Sequence, residues 1–296
     1  MEKLMTFAQR HPTIFFFLAA NVITYLVGGL AFLVLRTIQE SLGTNLPWTN
    51  DIVLRFGPTL AGVLTTALIA GKKGLNNLFR RCVRWRFALP LYLGAVFIQP
   101  VIYLAVLFLR GYGSEVQSAG LATAIGVFAA QLLLNIFPGG GSSEEVGWRG
   151  FMLPQLCKHH SPLVASLIVG IAWFAWHIPA FIFLGKGESD PVLPLAVIML
   201  PFSIIFTWAY FRAKESILLA ILLHGAINAS DYSLEKLLPG VANSTGFQRN
   251  LDDWSLVAFW FVFALIVVAK WGFSLGKAPL TENSAKPSKV IEPYPN

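Results

Sequence analysis

Charge is scarce in this chain. Asp, Glu, Lys and Arg supply 12% of its 296 residues, where a soluble domain carries about 25%. With 55% of residues hydrophobic and a mean hydropathy of +0.64, the composition is that of an integral membrane protein. No polar stretch is long enough to build a second core, which excludes a separate soluble domain. Cysteine is scarce too. Cys82 and Cys157 both lie in basic stretches that belong on the cytoplasmic side, so a disulfide is not expected. Neither lies in a motif with chemistry, and no serine nucleophile motif stands out. The net charge of +7 is no nucleic-acid signal, because the basic residues fall in short loops between apolar runs. No internal repeat is visible.

What the chain does have is long apolar runs. Pro12 to Leu35 carries no charge and is long enough to cross a bilayer. It is too long for a signal-peptide core and lacks a small-residue cleavage pattern. Further runs follow at about 52–71, 87–109, 119–137, 162–184, 191–211, 216–230 and 254–269. The expected fold is all-α, a polytopic membrane bundle of about eight transmembrane helices. Lys72, Lys73, Arg80, Arg81, Arg84 and Arg86 crowd one short loop, which the positive-inside rule assigns to the cytoplasm. An even number of spans puts both termini there, with a bacterial plasma membrane as the expected location. Residues 1–275 form one membrane domain, and 276–296 a tail expected to be disordered. Asn243-Ser244-Thr245, in the expected outer loop 231–253, is a glycosylation acceptor only in a host that glycosylates.

One stretch breaks the apolar pattern: Ser142-Ser143-Glu144-Glu145-Val146-Gly147-Trp148-Arg149-Gly150. Ionisable groups beside a membrane segment are costly and point to function by default. Gly139-Gly140-Gly141 is expected to break the preceding helix, Ser142 or Ser143 to cap the next, and both carboxylates to sit at its positive N-terminal end. Glu145 and Arg149 are then i and i+4 on one face, acid before base. Glu144 points about 100° away, with uncharged Trp148 as its own i+4 neighbour. One carboxylate has a partner and the other is left for chemistry. The plainer reading is a capped helix at the membrane surface with solvated charges. Whether residues 142–158 span, re-enter or lie along the membrane is open at this stage.

Two further constellations favour the functional reading. In Trp173-Phe174-Ala175-Trp176-His177-Ile178-Pro179 a histidine sits inside an uncharged span, sharing a face with Trp173, and Pro179 loosens the backbone just after it. In His224-Gly225-Ala226-Ile227-Asn228 a histidine and an asparagine share a face, with Gly225 and Ala226 allowing close helix approach. A lone intramembrane histidine is as readily a packed residue satisfied by a neighbouring helix. Two of them, with an asparagine and an unpaired glutamate on three separate helices, are not. His11, His159 and His160 lie beside charges or at span ends and read as solvated rim residues.

Glu-Glu-x-x-x-Arg, aromatic-x-x-x-His and His-x-x-x-Asn, in this order on successive helices, resemble the CPBP family of intramembrane proteases. That family comprises the type II CAAX prenyl endopeptidases and bacterial relatives, including bacteriocin-processing and bacteriocin-immunity proteins. The resemblance covers about 119–231, with Trp173 where the family usually has Phe. It implies Glu144, His177, His224 and Asn228 as catalytic residues, with Glu145, Arg149 and Trp173 supporting them. The chemistry argued beside it agrees. Amide hydrolysis needs a positioned water, a base and donors for an oxyanion. Glu144 is the natural base, and His177 can orient the water or carry the proton to the leaving amine. His224 and Asn228, one turn apart, can present two donors to one point.

Cofactor use stays open between none and Zn²⁺. Glu144, His177 and His224 could form a His₂-carboxylate site. Yet there is no His-Glu-x-x-His, and an Asn beside a His suits an oxyanion hole better than a ligand set. The expected partners are the bilayer and a membrane-anchored peptide or protein cut near the cytoplasmic surface, with no nucleic acid. Rival readings are a non-enzymatic immunity or scaffold protein of the same family and, against the absence of an inverted repeat, a secondary transporter.

Overall fold

The computed structural model describes residues 2–44, 54–114, 120–183, 192–238 and 246–278. The glycosylation acceptor at Asn243 and nearly all of the expected tail lie outside these residues. Among them the protein is all-α, with no strand. The helices are α1 (Glu2–Arg10), α2 (Pro12–Ser41), α3 (Gly57–Cys82), α4 (Leu89–Leu109), α5 (Leu121–Ile136), α6 (Gly140–Gly147), α7 (Pro162–Phe183), α8 (Val192–Arg212), α9 (Ile217–Leu237) and α10 (Gly246–Trp271). α2 contains a π-helical turn at Val22–Gly28, and α6 continues through a second one at Trp148–Met152 to a last turn at Leu153–Leu156.

Seven stretches among the described residues are long and apolar enough to cross a membrane. The expected span at 52–71 is not one of them. Its helix, α3, bends at Gly71, which takes φ 55° and ψ −154°, and then runs on as the basic segment through Lys72, Lys73, Arg80 and Arg81. The apolar part ahead of that bend is shorter than the roughly 20 residues a span requires. Leu33, Phe97, Ile171 and Leu265 are exposed on the flanks of the bundle, as residues against lipid tails would be. α2 and α9 also run on past the expected ends, to Ser41 and Leu237.

The interior is organised around α6 and its continuation, which pack against α3 on one side and α9 on the other. From Ser143 to Leu153 every residue of this helix is buried. The stretch left open between spanning, re-entering and lying flat is thus a helix enclosed by protein. Its start differs from the expected cap. The chain turns through the extended Phe137 and Pro138, and Gly139 occupies the N-cap position. Ser142 and Ser143 therefore fall inside the first turn, and Ser143 Oγ donates back to Gly140 O at 3.3 Å instead of capping. Glu144 and Glu145 consequently sit in the second turn, one turn deeper than a capping pattern implies.

Glycines allow this close nesting. A Cβ on Gly147 would stand 2.3 Å from the Pro58 carbonyl oxygen, and one on Gly62 would stand 2.9 Å from Gly147 Cα. The backbones of α3 and α6 meet there with no side chain between them, the small-residue contact typical of membrane helices.

Candidate active site

The second turn of α6 sends its two carboxylates in different directions. Arg149 Nη1 lies 3.0 Å from both Oε1 and Oε2 of Glu145, and both side chains are completely buried. The i, i+4 spacing thus produces the pair it promises. The guanidinium stacks over the rings of Trp173 and Phe206, 4.8 and 4.4 Å from their centroids. Its Nη2 reaches Ser203 Oγ at 3.4 Å, and Ser203 Oγ donates to Ser166 O at 2.6 Å. Desolvating two charges is expensive, and hydrogen bonds and ring faces of this kind are what offset it.

Glu144 points away from Arg149. Its Oε2 accepts from Trp173 Nε1 at 2.7 Å. Its Oε1 lies 3.9 Å from His224 Nε2, too far for a direct hydrogen bond. His224 is anchored from its other edge, with Nδ1 2.8 Å from Glu145 Oε1. An ionised carboxylate can only accept, so Nδ1 carries the proton, and Glu145 turns the Nε2 edge toward Glu144. His177 Nδ1 lies 2.9 Å from Trp173 O, a carbonyl that likewise only accepts. In neutral His177 this leaves Nε2 as the acceptor.

Gly140 supplies the key measurement. A Cβ on this residue would stand 2.6 Å from Asn228 Nδ2 and 2.6 Å from His224 Nε2. Two nitrogens on successive turns of α9 therefore converge on one point above a residue without a side chain. Gly140 and Glu144 are i and i+4, so the point and the carboxylate share one face of α6. Glu144, His177, His224 and Asn228 all line a single cavity of about 290 Å³, together with Gly140 and Trp173. Glu145 and Arg149 do not reach it; they form the packed layer beside it.

Some of the site was not visible in the motifs. Glu145 holds His224, a link between two helices. Trp173 is a hydrogen-bond donor to Glu144 and not only a packed ring. The π-helical turn of α2 contributes Thr24, which accepts from Trp176 Nε1 at 3.0 Å, and Tyr25, whose Oη donates to Trp176 O at 2.5 Å. Both line the cavity and tie α7 beside His177. Polar side chains inside the uncharged first span were a signal for them. Ser203 had none, since a small hydroxyl in an apolar helix looks like any packing residue.

A zinc centre does not fit these residues well. Among the described residues no three His, Cys, Asp or Glu are grouped to hold one ion. The group that shares the convergence point of His224 Nε2 is the Asn228 amide nitrogen, a donor and not a ligand.

Fold and site together define a polytopic membrane protein with an ionisable centre enclosed in a helix bundle. Residues 126–230 match the family model described as Type II CAAX prenyl endopeptidase Rce1-like. The CAAX prenyl protease 2 of Methanococcus maripaludis is 29% identical over 216 residues, which cover 62% of this chain and 78% of that relative. The CPBP resemblance read from the three motifs is thus borne out.

Proposed function

We propose that this protein is a membrane endopeptidase of the CAAX prenyl protease type, in which Glu144 activates the attacking water. The observation that carries the reading is the convergence of His224 Nε2 and Asn228 Nδ2 on a point 2.6 Å from each, one turn along α6 from Glu144. Oxyanion donors work at about 2.7–3.1 Å from the developing charge. A peptide carbonyl oxygen placed just outside that point, on the cavity side of Gly140, can be reached by both nitrogens with its carbon toward Glu144.

The steps follow from the donors and acceptors. Water adds to the carbonyl carbon as Glu144 Oε1 takes its proton, while Trp173 keeps Oε2 occupied. The carbonyl oxygen gains the negative charge and receives hydrogen bonds from Asn228 and His224. Since the Nδ1 proton of His224 is committed to Glu145, donation from Nε2 requires the ring to carry both protons. Glu145, itself held by Arg149, is the counter-ion for that state. The carbon–nitrogen bond then breaks, and the proton on Glu144 passes to the leaving nitrogen, directly or through His177. A positioned base contributes about 10²–10⁴ in rate and each oxyanion donor about 10²–10³.

The substrate in this reading is a membrane-associated polypeptide. The name of the Methanococcus maripaludis relative points to prenylated CAAX C-termini as the first class to test. The decisive assay presents the purified protein with lipid-anchored fluorogenic peptides, one of them prenylated. Cleavage by the native protein and its loss in folded Glu144→Gln, His177→Ala and His224→Ala variants is expected. Native-level turnover in any of these folded variants would overturn the assignment. A scaffold or immunity protein would cleave none of the peptides.

A further inference from the structure

One segment carries cations for which the fold supplies no partner. Past the bend at Gly71, α3 continues through residues 72–82, and the chain runs on to Arg86 before the spanning helix α4 starts at Leu89. The segment stays close to what precedes it. A Cβ on Gly74 would stand 2.4 Å from Ala70 Cβ and 3.1 Å from Thr66 Cγ2.

Its inner face is fastened to the bundle. Leu78 is buried, and a Cβ on Gly150 would stand 2.8 Å from its Cδ1. Arg81 donates to Gly150 O at 2.6 Å and to Tyr210 Oη at 2.7 Å. Arg84 donates to Lys214 O, and Ser216 Oγ donates to Arg84 O at 2.6 Å. The continuation of α6, the end of α8 and the start of α9 thus fix which side of the segment faces outward.

That outward side has two properties at once. At about 100° per residue, Lys72, Asn76, Phe79 and Arg80 fall opposite Leu78, with Lys73 beside them, and all five are exposed. Lys72, Lys73 and Arg80 have no ion-pair partner among the described residues. Between these cations stand bare rings: Phe79 is 65% exposed and Trp85 61%. Arg86 lies over the Trp85 ring, 5.2 Å from its centroid. Water would suit the cations but not two large rings, and lipid tails would suit the rings but not the cations. The headgroup layer suits both, since aromatic rings lodge there and long basic side chains reach out to phosphate. The position agrees. Held between the apolar part of α3 and the spanning helix α4, the segment cannot stand far from a bilayer surface.

We infer that the outer face of residues 72–86 is a docking surface for anionic phospholipid headgroups. Lys72, Lys73, Arg80 and Arg86 face the phosphates, and Phe79 and Trp85 enter the layer beneath them. The inference concerns the outside of the bundle and does not depend on the peptidase reading.

Native mass spectrometry of the purified full-length protein tests it. Dissociation constants are measured for a phosphatidylglycerol and a phosphatidylcholine with the same acyl chains. A basic residue near an anionic surface contributes about fivefold in affinity. A Lys72→Gln/Lys73→Gln/Arg80→Gln protein should therefore lose on the order of a hundredfold for phosphatidylglycerol, with phosphatidylcholine unchanged. All three changes are at exposed positions, and melting checks that the fold is kept. A Lys158→Gln/Lys270→Gln/Lys277→Gln protein removes the same charge elsewhere and should keep most of the preference. Phe79→Ala/Trp85→Ala should weaken both lipids. Equal affinity of the native protein for the two lipids would overturn the inference, as would an equal loss in the two triple variants. Displacement of phosphatidylglycerol by soluble polyglutamate would overturn it too, and would mark the face as one for an acidic polypeptide.

Discussion

Glu144 and Glu145 are adjacent in the chain and belong to two different regions of the molecule. Glu145 lies in a closed layer, surrounded by Arg149, His224, Ser203 and two aromatic rings, in which the Arg149 Nε is the guanidinium nitrogen left without a hydrogen bond. Glu144 faces a cavity, with one oxygen held by Trp173 and the other turned to open space shared with His224, Asn228 and His177. A rotation of about 100° around one helix separates the buried ion pair from the carboxylate that faces the cavity. The lesson is that the closed layer is what makes the cavity usable. Glu145 does not line the cavity, yet its contact with His224 turns the Nε2 edge of that ring toward Glu144.

The difference can be broken first on its closed side. Arg149→Ala leaves Glu145 buried without its cation, and loss of one partner from such a pair costs about 3–5 kcal/mol. Thermal melting in a single detergent should show this as a large drop, with little folded protein recovered. Glu145→Gln combined with Arg149→Ala should lose less than the two single changes added together, since the residues act as one unit. A variant lacking Arg149 with native stability would mean that the layer is wet.

On the cavity side the sharpest change short of the carboxylate itself is Gly140→Ala. Its methyl group would occupy the point 2.6 Å from Asn228 Nδ2 and from His224 Nε2. The expected loss is about 10²–10³ in kcat, the size of a lost oxyanion donor. Melting should move far less than in Arg149→Ala, because the Asn228 and His224 side-chain ends can give way. Unchanged kcat would remove the convergence point from the mechanism.

A smaller effect is expected from Tyr25→Phe, which deletes the hydrogen bond to Trp176 O. One such bond is worth about 1 kcal/mol. A several-fold fall in kcat/KM with a native fold would mark Tyr25 as a positioning residue for α7, and no change would make it only a wall of the cavity.

The smallest effect concerns the thiols, both away from the cavity. Burial pushes the Cys157 thiol up to about 11, with Glu215 adding to the shift and Lys277 opposing it. Burial also raises Cys82, against the nearby Arg81. Because only the thiolate reacts, alkylation of Cys157 at pH 8 should run on the order of a hundredfold slower than that of an ordinary thiol. It should accelerate as the pH rises toward 11. Mass spectrometry of the folded protein after a timed exposure checks this.

Much of the site was legible because its parts are local. The Glu145–Arg149 pair, the shared faces of Trp173 with His177 and of His224 with Asn228, and the turning of Glu144 away from Arg149 all follow from helix periodicity. What escaped was of two kinds. The contact of Glu145 with His224 joins residues 79 positions apart, and no spacing rule reaches across helices. The expected serine cap failed because the turn through Phe137 and Pro138 puts the N-cap at Gly139, three or four residues early, so that a capping pattern in the chain ended up inside a helix. The bend at Gly71 was hidden for a similar reason. Hydropathy registers how apolar a run is, and the positive φ that ends it leaves no mark on that scale.

The account turns on which carboxylate does the chemistry, and one paired experiment addresses it. Glu144→Gln and Glu145→Gln are purified in the same detergent, and each is melted and assayed on the peptide that the native protein cleaves. Glutamine at position 144 keeps an oxygen for Trp173 Nε1 but cannot take a proton from water. The predicted result is a Glu144→Gln protein that melts with the native one and has lost turnover, beside a Glu145→Gln protein that melts early. A Glu144→Gln protein that melts early, together with a Glu145→Gln protein that is stable and inactive, would mean the two roles are reversed.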